Sequence, residues 1–398
     1  MKILFVLLQM SEGKNSGMYV DLAEIYRDNG HDVTIIAPDE AHAKTYEGTE
    51  RVMRVVRVAS KETQGVASMF QKGIALATLP YYFKKAYKKY LVGEQFDWIV
   101  MPTPPITLSG FVEYVKKRTG AKFYLILRDI HPQSVWSIGL LHNKLEYKFL
   151  DKKARTGYRT ADLIGCMSQG NIDFIMKQYP WLDRKKLVIL YNWLKSDGTI
   201  AQDAGVRSKY ELDNKFVALF GGTIGKGQRI ENIAYLAEHY KTKSDIVFVI
   251  IGKGVEKDRL EQIASEKGLD NIRFINFMPQ VDYLKFVSSV DLGLITINEN
   301  YAVPTCPSKA IAYMSLGIPM LAMINPNSDY GQWIEDTGAG YWAVGSDKKR
   351  TIELFDKLYA DKELRENMSK DGREYYLANC TETCAYQTMV QQMEGKEI

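Results

Sequence analysis

Short apolar runs of strand length recur through the first half of the chain, at Ile3–Leu8, Val33–Ala37, Val52–Val58, Trp98–Met101, Phe123–Leu127 and Leu163–Met167. Between several of them the apolar positions return every three to four residues, as in Met18–Asn29 closed by Gly30, which predicts helices. Uninterrupted apolar strands alternating with helices mark a parallel sheet covered on both faces. After the polar stretch Lys195–Asn214 the same grammar restarts. Strands are expected at Phe216–Phe220, Ile246–Ile251, Ile272–Phe277, Leu292–Ile295 and Met320–Ile324, with helices over Ile230–Tyr240 and Lys257–Lys267. The expected fold is α/β with two doubly wound, Rossmann-like domains facing across a cleft, spanning 1–195 and 214–350. A linker over 196–213 joins them, and a helical C-terminal tail over 351–398 follows, with no strand between Thr351 and Met393.

A chain of 398 residues exceeds what one core usually organises, and 46% hydrophobic residues suffice for two. A net charge of +4 excludes the dense basic footprint of a dedicated nucleic-acid binder. The four cysteines, Cys166, Cys306, Cys380 and Cys384, have neither CxxC nor zinc spacing, which fits a reducing cytosol. The apolar opening reaches Gln9 and Glu12 too soon for a secretory signal, and no later stretch is long enough to span a bilayer. The expected location is cytoplasmic, with any membrane contact peripheral and at the inner face.

Candidate chemistry sits where predicted strands give way to helices. Phe220-Gly-Gly-Thr-Ile-Gly-Lys-Gly-Gln228 joins a strand to a helix, so its glycines leave backbone amides open while Lys226 and Arg229 supply cations suited to a diphosphate. A companion turn, Ile251-Gly-Lys-Gly254, follows the next strand, and Gly252 falls at the same sheet edge, where ligands of open parallel sheets collect. In Val303–Pro319 a loop ends in Pro307, Ser308 and Lys309 and a helix opens, which converges a hydroxyl and an ammonium on one anion. In the first half, Glu12–Gly17 is another strand-to-helix turn, with Gly17 placed to admit an acceptor hydroxyl. Leu127-Arg-Asp-Ile-His-Pro132 ends the Phe123 strand, and there Asp129 and His131 are candidates to orient an acceptor or support charge at a reacting carbon. Arg128 and Asp129 have the alternative of a structural ion pair. Asp39, ending the second strand, stands where the ribose-binding acid of a dinucleotide site would stand, but the preceding turn is not GxGxxG.

Absences discriminate further. No Asp-x-Asp, GxSxG, HExxH or Walker GxxxxGK[ST] occurs, which disfavours a metal-chelating transferase site, a serine hydrolase, a zinc protease and a P-loop NTPase. Within Phe70–Tyr90, lysines at 72, 84, 85, 88 and 89 interleave with aromatic residues at helical spacing, a composition suited to an anionic membrane surface or to an ordinary helix with one core side.

In order, these elements resemble family 4 glycosyltransferases, more narrowly the bacterial branch that builds O-antigen, capsule and exopolysaccharide. The resemblance covers nearly the whole chain. It rests on Asn29-Gly-His-Asp-Val-Thr34, Met101-Pro-Thr-Pro-Pro105, Arg128-Asp-Ile-His-Pro132, Leu190-Tyr-Asn192, Gly222-Thr-Ile-Gly-Lys-Gly-Gln228 and Pro307–Pro319. It implies a GT-B fold and transfer, with retention at the anomeric carbon, of a sugar from a nucleotide-sugar, a UDP-sugar being favoured, to a glycan or lipid-linked oligosaccharide. By that resemblance Gly222, Thr223, Lys226, Gly252, Ser308 and Lys309 surround the donor, Gly17 and Arg128 the acceptor, and Asp129 and His131 are catalytic. No cofactor or metal is expected, and the partners are the donor, the acceptor and an anionic membrane. One position departs from the pattern: Ala312 stands where the branch has a glutamate, with Glu299 lying upstream. The same architecture serves nucleotide-sugar 2-epimerases and sugar phosphorylases, and the missing glutamate also admits a non-catalytic partner protein.

Overall fold

The computed structural model describes residues 1–10, 17–42, 44–61, 69–141, 143–196 and 204–396. The chain forms two compact units, Met1–Tyr191 with Glu382–Ile398, and Asn192–Thr381.

The first unit is built on an eight-stranded sheet in the order Tyr46–Glu50, Met53–Ala59, Asp32–Asp39, Lys2–Val6, Trp98–Pro102, Lys122–Leu127, Leu163–Cys166, Leu187–Ile189. All neighbours are parallel except the first pair. Strand order reverses between Lys2–Val6 and Trp98–Pro102, so the loops after these two strands diverge to opposite faces and open a crevice at the carboxyl edge. The central strands are buried on both faces, as their unbroken apolar runs require. Helices Met69–Tyr90, Ser109–Thr119 and Lys144–Thr160 pack side by side, joined in part by the edge-on pair Phe83 and Phe111 at 5.4 Å.

The second unit has a wholly parallel six-stranded sheet, ordered Ile272–Ile275, Ile246–Ile251, Phe216–Gly221, Leu292–Thr296, Met320–Ile324, Gly340–Val344. Its reversal falls between Phe216–Gly221 and Leu292–Thr296. Phe216, Phe248 and Ile250 meet Ile233 and Leu236 of helix Glu231–His239 and Leu354, Phe355 and Leu358 of helix Lys348–Ala360. Phe355 is the hub of this core, with ring centres 4.7 Å from Tyr240 and 5.6 Å from Phe248.

Three strands escaped the sequence pattern. Tyr46–Glu50 is an antiparallel edge strand whose side chains face water, so it carries no apolar run. Its hairpin partner begins at Met53 rather than Val52, because Arg51 and Val52 form the turn, with φ of 51° and 60°. Leu187–Ile189 has only three residues, and Gly340–Val344 is a half-exposed edge. The strand expected to run to Phe277 stops at Ile275, leaving Phe277 65% exposed.

The domain limits also differ from those expected. The first break falls between Tyr191 and Asn192, and 204–209 within the expected linker is helical, while 197–203 lies outside the described residues. The tail is divided: helices Lys348–Ala360 and Lys362–Asn379 belong to the second unit, and Glu382–Met393 returns to the first. Its anchoring is side-chain specific, which is why periodicity did not reveal it. Tyr386 packs edge-on against Tyr26 at 4.8 Å and its hydroxyl lies 3.0 Å from His31 Nε2. Tyr124, fully buried, donates its hydroxyl to Gln392 Oε1 at 2.5 Å, and Gln392 Nε2 donates to the Ile189 carbonyl at 2.8 Å. Tyr124→Phe removes one donor and strands a buried acceptor, so it is expected to destabilise the first unit by about 1–3 kcal/mol in denaturant unfolding.

Candidate functional site

In the second unit the loops that leave three adjacent strands at the reversal are sewn together by backbone. Gly222 N donates to the Ile251 carbonyl at 2.9 Å and Ile224 N to the Lys253 carbonyl at 2.9 Å, which carries the ladder past the strand ends into both glycine turns. Glu256 N returns a bond to the Ile224 carbonyl at 3.1 Å. On the other side, Asn298 N donates to the Gly227 carbonyl at 2.8 Å and Asn298 Nδ2 to the Lys226 carbonyl at 3.1 Å. The approach is close enough to demand glycine. A Cβ on Gly252 would lie 1.9 Å from the Gly222 carbonyl oxygen, and Gly252 itself has φ of 154°.

Above this floor stands Lys309, first residue of the short helix Lys309–Ser315. Its ammonium lies 3.7 Å from the centre of the Phe220 ring and beside Gly222, and it has no hydrogen-bond or ion-pair partner among the described residues. Burial pushes its pKa down to about 7, a cost that the facing ring offsets only in part. Gly222, Thr223, Lys226 and Ser308 are exposed, whereas Gly252 is buried beneath the loop. The structure therefore brings Gly222, Gly252 and Lys309 together and places Thr223 and Lys226 on the same loop. Ser308 adjoins Lys309 in the chain and makes no side-chain cap to its helix.

Around these residues lie several that sequence reasoning passed over. Tyr313 donates its hydroxyl to the Leu219 carbonyl at 3.0 Å, and Tyr283 fills the space above Gly221. Tyr301 covers Gly227. Arg229, at φ 44°, pairs with one carboxylate oxygen of Glu299, whose other oxygen is buried without a hydrogen-bond partner among the described residues. Glu299 thus braces the far end of the glycine loop. Ala312 is half-buried on the Lys309 helix, and no acid stands at that position.

In the first unit, Arg128 and Asp129 follow strand Lys122–Leu127. Arg128 N donates to Thr103 Oγ1 at 3.0 Å, and its guanidinium to the Leu190 and Tyr191 carbonyls at 2.8 and 3.1 Å. Tyr19, in the first turn of helix Met18–Asp28, hydrogen-bonds Arg128; burial raises its pKa, against the pull of that guanidinium. Asp129 is exposed. His131 Nδ1 lies 2.6 Å from Ser134 Oγ, and burial lowers its pKa while the nearby Asp129 carboxylate works the other way. His131 is thus favoured neutral at physiological pH and able to accept a proton. Gly17 is the extended residue immediately before the Tyr19 helix; Glu12–Ser16 lie outside the described residues. Gly17, Tyr19, Arg128 and the Asp129–His131 loop belong to one carboxyl edge of this sheet.

Two sequence alternatives fall away or narrow. The Asp39 carboxylate accepts from Ala41 N at 2.9 Å and His42 N at 3.0 Å and meets His42 Nδ1 at 2.9 Å, so it caps its own loop and is not held open for a ribose. In helix Met69–Tyr90, Leu79, Phe83 and Tyr87 are buried, so much of its aromatic content is core, while Lys85, Lys88 and Lys89 remain exposed. Among the described residues no helix is long and apolar enough to cross a membrane, and no three His, Cys, Asp or Glu side chains group in a way that could hold a metal ion.

Residues 205–375 match the family model of glycosyl transferases group 1. The chain is 24% identical over 266 residues to the probable glycosyltransferase WbjE of Pseudomonas aeruginosa, covering 66% of each chain. It is 23% identical over 247 residues to the putative colanic acid biosynthesis glycosyl transferase WcaI of Escherichia coli, covering 60% of each. The matched stretches thus span about two thirds or less of these relatives' length. Among solved structures, Anabaena HepE in complex with UDP superposes with a TM-score of 0.71 at 14% identity, covering 99% of this chain and 100% of that one. The chain has the two-domain GT-B fold, and residues 205–375 of its second unit are similar to the glycosyl transferases group 1.

Proposed function

We propose that this chain transfers a sugar from a nucleotide-sugar, with UDP-sugar favoured, to a glycan or lipid-linked oligosaccharide in the synthesis of a bacterial surface polysaccharide. The observation that carries the reading is Lys309: a half-buried lysine whose ammonium lies against the Phe220 ring with no anion beside it among the described residues, next to a turn whose backbone admits only glycine. A buried cation is costly unless it is paired, and a diphosphate seated at Gly222 supplies the missing charge. Gly222, Gly252 and Thr223 line that seat, with Lys226 and Ser308 at its rim. The WcaI relative, named for colanic acid biosynthesis, supports the polysaccharide context, and the UDP in the HepE structure supports the nucleotide.

In this reading the departing nucleoside diphosphate gives its developing charge to Lys309, Lys226 and the loop amides, which are fixed before reaction and require no metal. The acceptor binds in the first unit through Gly17 and Arg128, with Asp129 orienting it and neutral His131 supporting charge at the reacting carbon. The leaving phosphate itself accepts the hydroxyl proton on the same face, and the anomeric configuration is retained. The protein works in the cytoplasm with peripheral contact to an anionic membrane.

Replacing Lys309 by Met keeps the packing and removes the charge; calorimetric titration with UDP-sugar is expected to show a loss of about 1.5–3 kcal/mol, while the unfolding midpoint rises rather than falls because the variant no longer desolvates an unpaired ammonium. The wild-type pH dependence has a definite sign. Lys309 is neutral above about 7 in the free protein and must take up a proton when it meets the diphosphate. Affinity for a nucleotide-sugar, whose phosphates do not titrate there, should fall as pH rises above about 7, by up to about tenfold per unit, and the fall should vanish in Lys309→Met. By the same linkage the free protein gains stability as pH rises from about 7 toward the unfolded lysine value, because only the unfolded chain holds the proton there. Transfer should persist in excess EDTA; activity lost to chelation and restored by manganese or magnesium contradicts the metal-independent mechanism.

A further inference from the structure

The chain between strand Leu292–Thr296 and helix Lys309–Ser315 has no helix or strand of its own, and Pro304 and Pro307 within it supply no N–H to build one. Its carbonyls therefore need donors from elsewhere. The stretch that follows strand Met320–Ile324 provides them, side chain by side chain. Asn325 Nδ2 donates to the Tyr301 carbonyl at 3.1 Å and to the Val303 carbonyl at 3.2 Å. Ser328 Oγ donates to the Thr305 carbonyl at 2.9 Å, and the Tyr330 hydroxyl to the Pro307 carbonyl at 2.8 Å. Every second carbonyl from 301 to 307 is thus taken by one short segment, as an extended chain presents them to one side. The Cys306 carbonyl, out of that phase, accepts instead from Asn192 Nδ2 at 2.9 Å.

The donors are themselves fixed. Asn325 is fully buried and its Oδ1 accepts from Thr305 Oγ1 at 3.1 Å, so both ends of the amide are committed. Ser328 Oγ also accepts from Tyr330 N at 3.2 Å. The Tyr330 ring stacks on Trp333 with centres 4.7 Å apart, and burial holds its pKa well above the ordinary tyrosine value, so the hydroxyl keeps the proton it donates. Buried groups satisfied in this way are costly to misplace, because each lost bond leaves a polar atom with neither partner nor water. What the segment holds is an arc over the glycine turn. At one end Tyr301 covers Gly227, and at the other, two residues beyond Pro307, Lys309 lies beside Gly222 and over the Phe220 ring.

We propose that Asn325, Ser328 and Tyr330 are positioning residues for the donor: by gripping the carbonyls of 301–307 they set where Tyr301 and Lys309 stand over the glycine turn. That role rests on the reading of the turn as the seat of the donor's diphosphate. A loop with two prolines and no ladder has nothing of its own to define its path, and a small drift of Lys309 would weaken its contact with a diphosphate. Three side chains of one neighbouring segment remove that freedom before the ligand arrives.

The test is Tyr330→Phe, which keeps the ring and its stacking and removes only the hydroxyl that holds the Pro307 carbonyl; Ser328→Ala releases the Thr305 carbonyl in the same way should the first variant fold poorly. Two readouts are taken on the full chain. In protein carrying isotope-labelled lysine, assigned with Lys309→Met, the NMR signal of the Lys309 ε-methylene should be displaced upfield in wild type by the Phe220 ring, whose centre is 3.7 Å from the ammonium. In both variants it should move toward the ordinary lysine position. Calorimetric titration with UDP should show affinity reduced by about fivefold or more. Tyr240→Phe, which breaks a hydroxyl bond of 2.8 Å to Asp356 elsewhere in the same unit, should cost stability and leave both readouts unchanged. The proposal is overturned if a folded Tyr330→Phe or Ser328→Ala protein keeps the wild-type Lys309 signal or binds UDP as tightly as wild type, or if Tyr240→Phe moves both readouts equally. A Lys309 signal that moves in the variants of a chain that binds no UDP would sustain the grip on Lys309 and reject the donor reading, so the two fail separately.

Discussion

Everything at the second unit's carboxyl edge depends on backbone laid against backbone. Gly222 and Ile224 are bonded to Ile251 and Lys253 on one side, and Lys226 and Gly227 to Asn298 on the other. Three loops that would otherwise move independently become one surface, and the absence of a Cβ at Gly252 makes this possible. A surface fixed in this way has already lost its conformational entropy before a ligand arrives, which is what a preorganised anion seat requires. It also positions Lys309, whose ammonium rests beside Phe220 and Gly222 on that surface.

The supporting residues follow from the same constraint. Tyr313 and Tyr283 hold the start of the loop by packing on strand ends whose glycines leave room for their rings, and Arg229 with Glu299 holds its far end. None of these side chains needs to touch a ligand for its loss to matter, since a shift of the loop would change the distance between Lys309 and any anion. The first unit shows a parallel economy: Thr103 fixes the backbone at Arg128, and Arg128 in turn reaches the Leu190 and Tyr191 carbonyls, so the exposed Asp129 and the half-buried His131 hang from a braced turn.

Much of this was legible in the sequence because the relevant signals are local. Fully buried parallel strands must be apolar throughout, so the central strands stood out, and glycines between strand and helix flagged the turns around Gly222 and Gly252. What was not legible is set by contact across the chain. Tyr46–Glu50 is a strand only because Met53–Ala59 offers it an edge, and Gly340–Val344 only because Met320–Ile324 does. The partnership of Tyr19 with Arg128, the cover of Tyr301 over Gly227 and the return of Glu382–Met393 to the first unit have no signature in spacing. Asp39 agrees with the sequence, where the lack of GxGxxG already weighed against a ribose ligand: two backbone amides and His42 close by in sequence occupy its carboxylate.

The central claim is that the glycine-sewn floor is the seat of the donor's diphosphate, and a single added methyl group tests it most directly. Gly252→Ala places a Cβ where the Gly222 carbonyl now sits and must part the two turns, while leaving every charged group in the protein unchanged. Calorimetric titration of UDP into this variant, with wild type alongside and folding followed by circular dichroism, gives the answer. The account predicts a folded protein that has lost most of its affinity for UDP; a folded Gly252→Ala protein that binds UDP as tightly as wild type would contradict it.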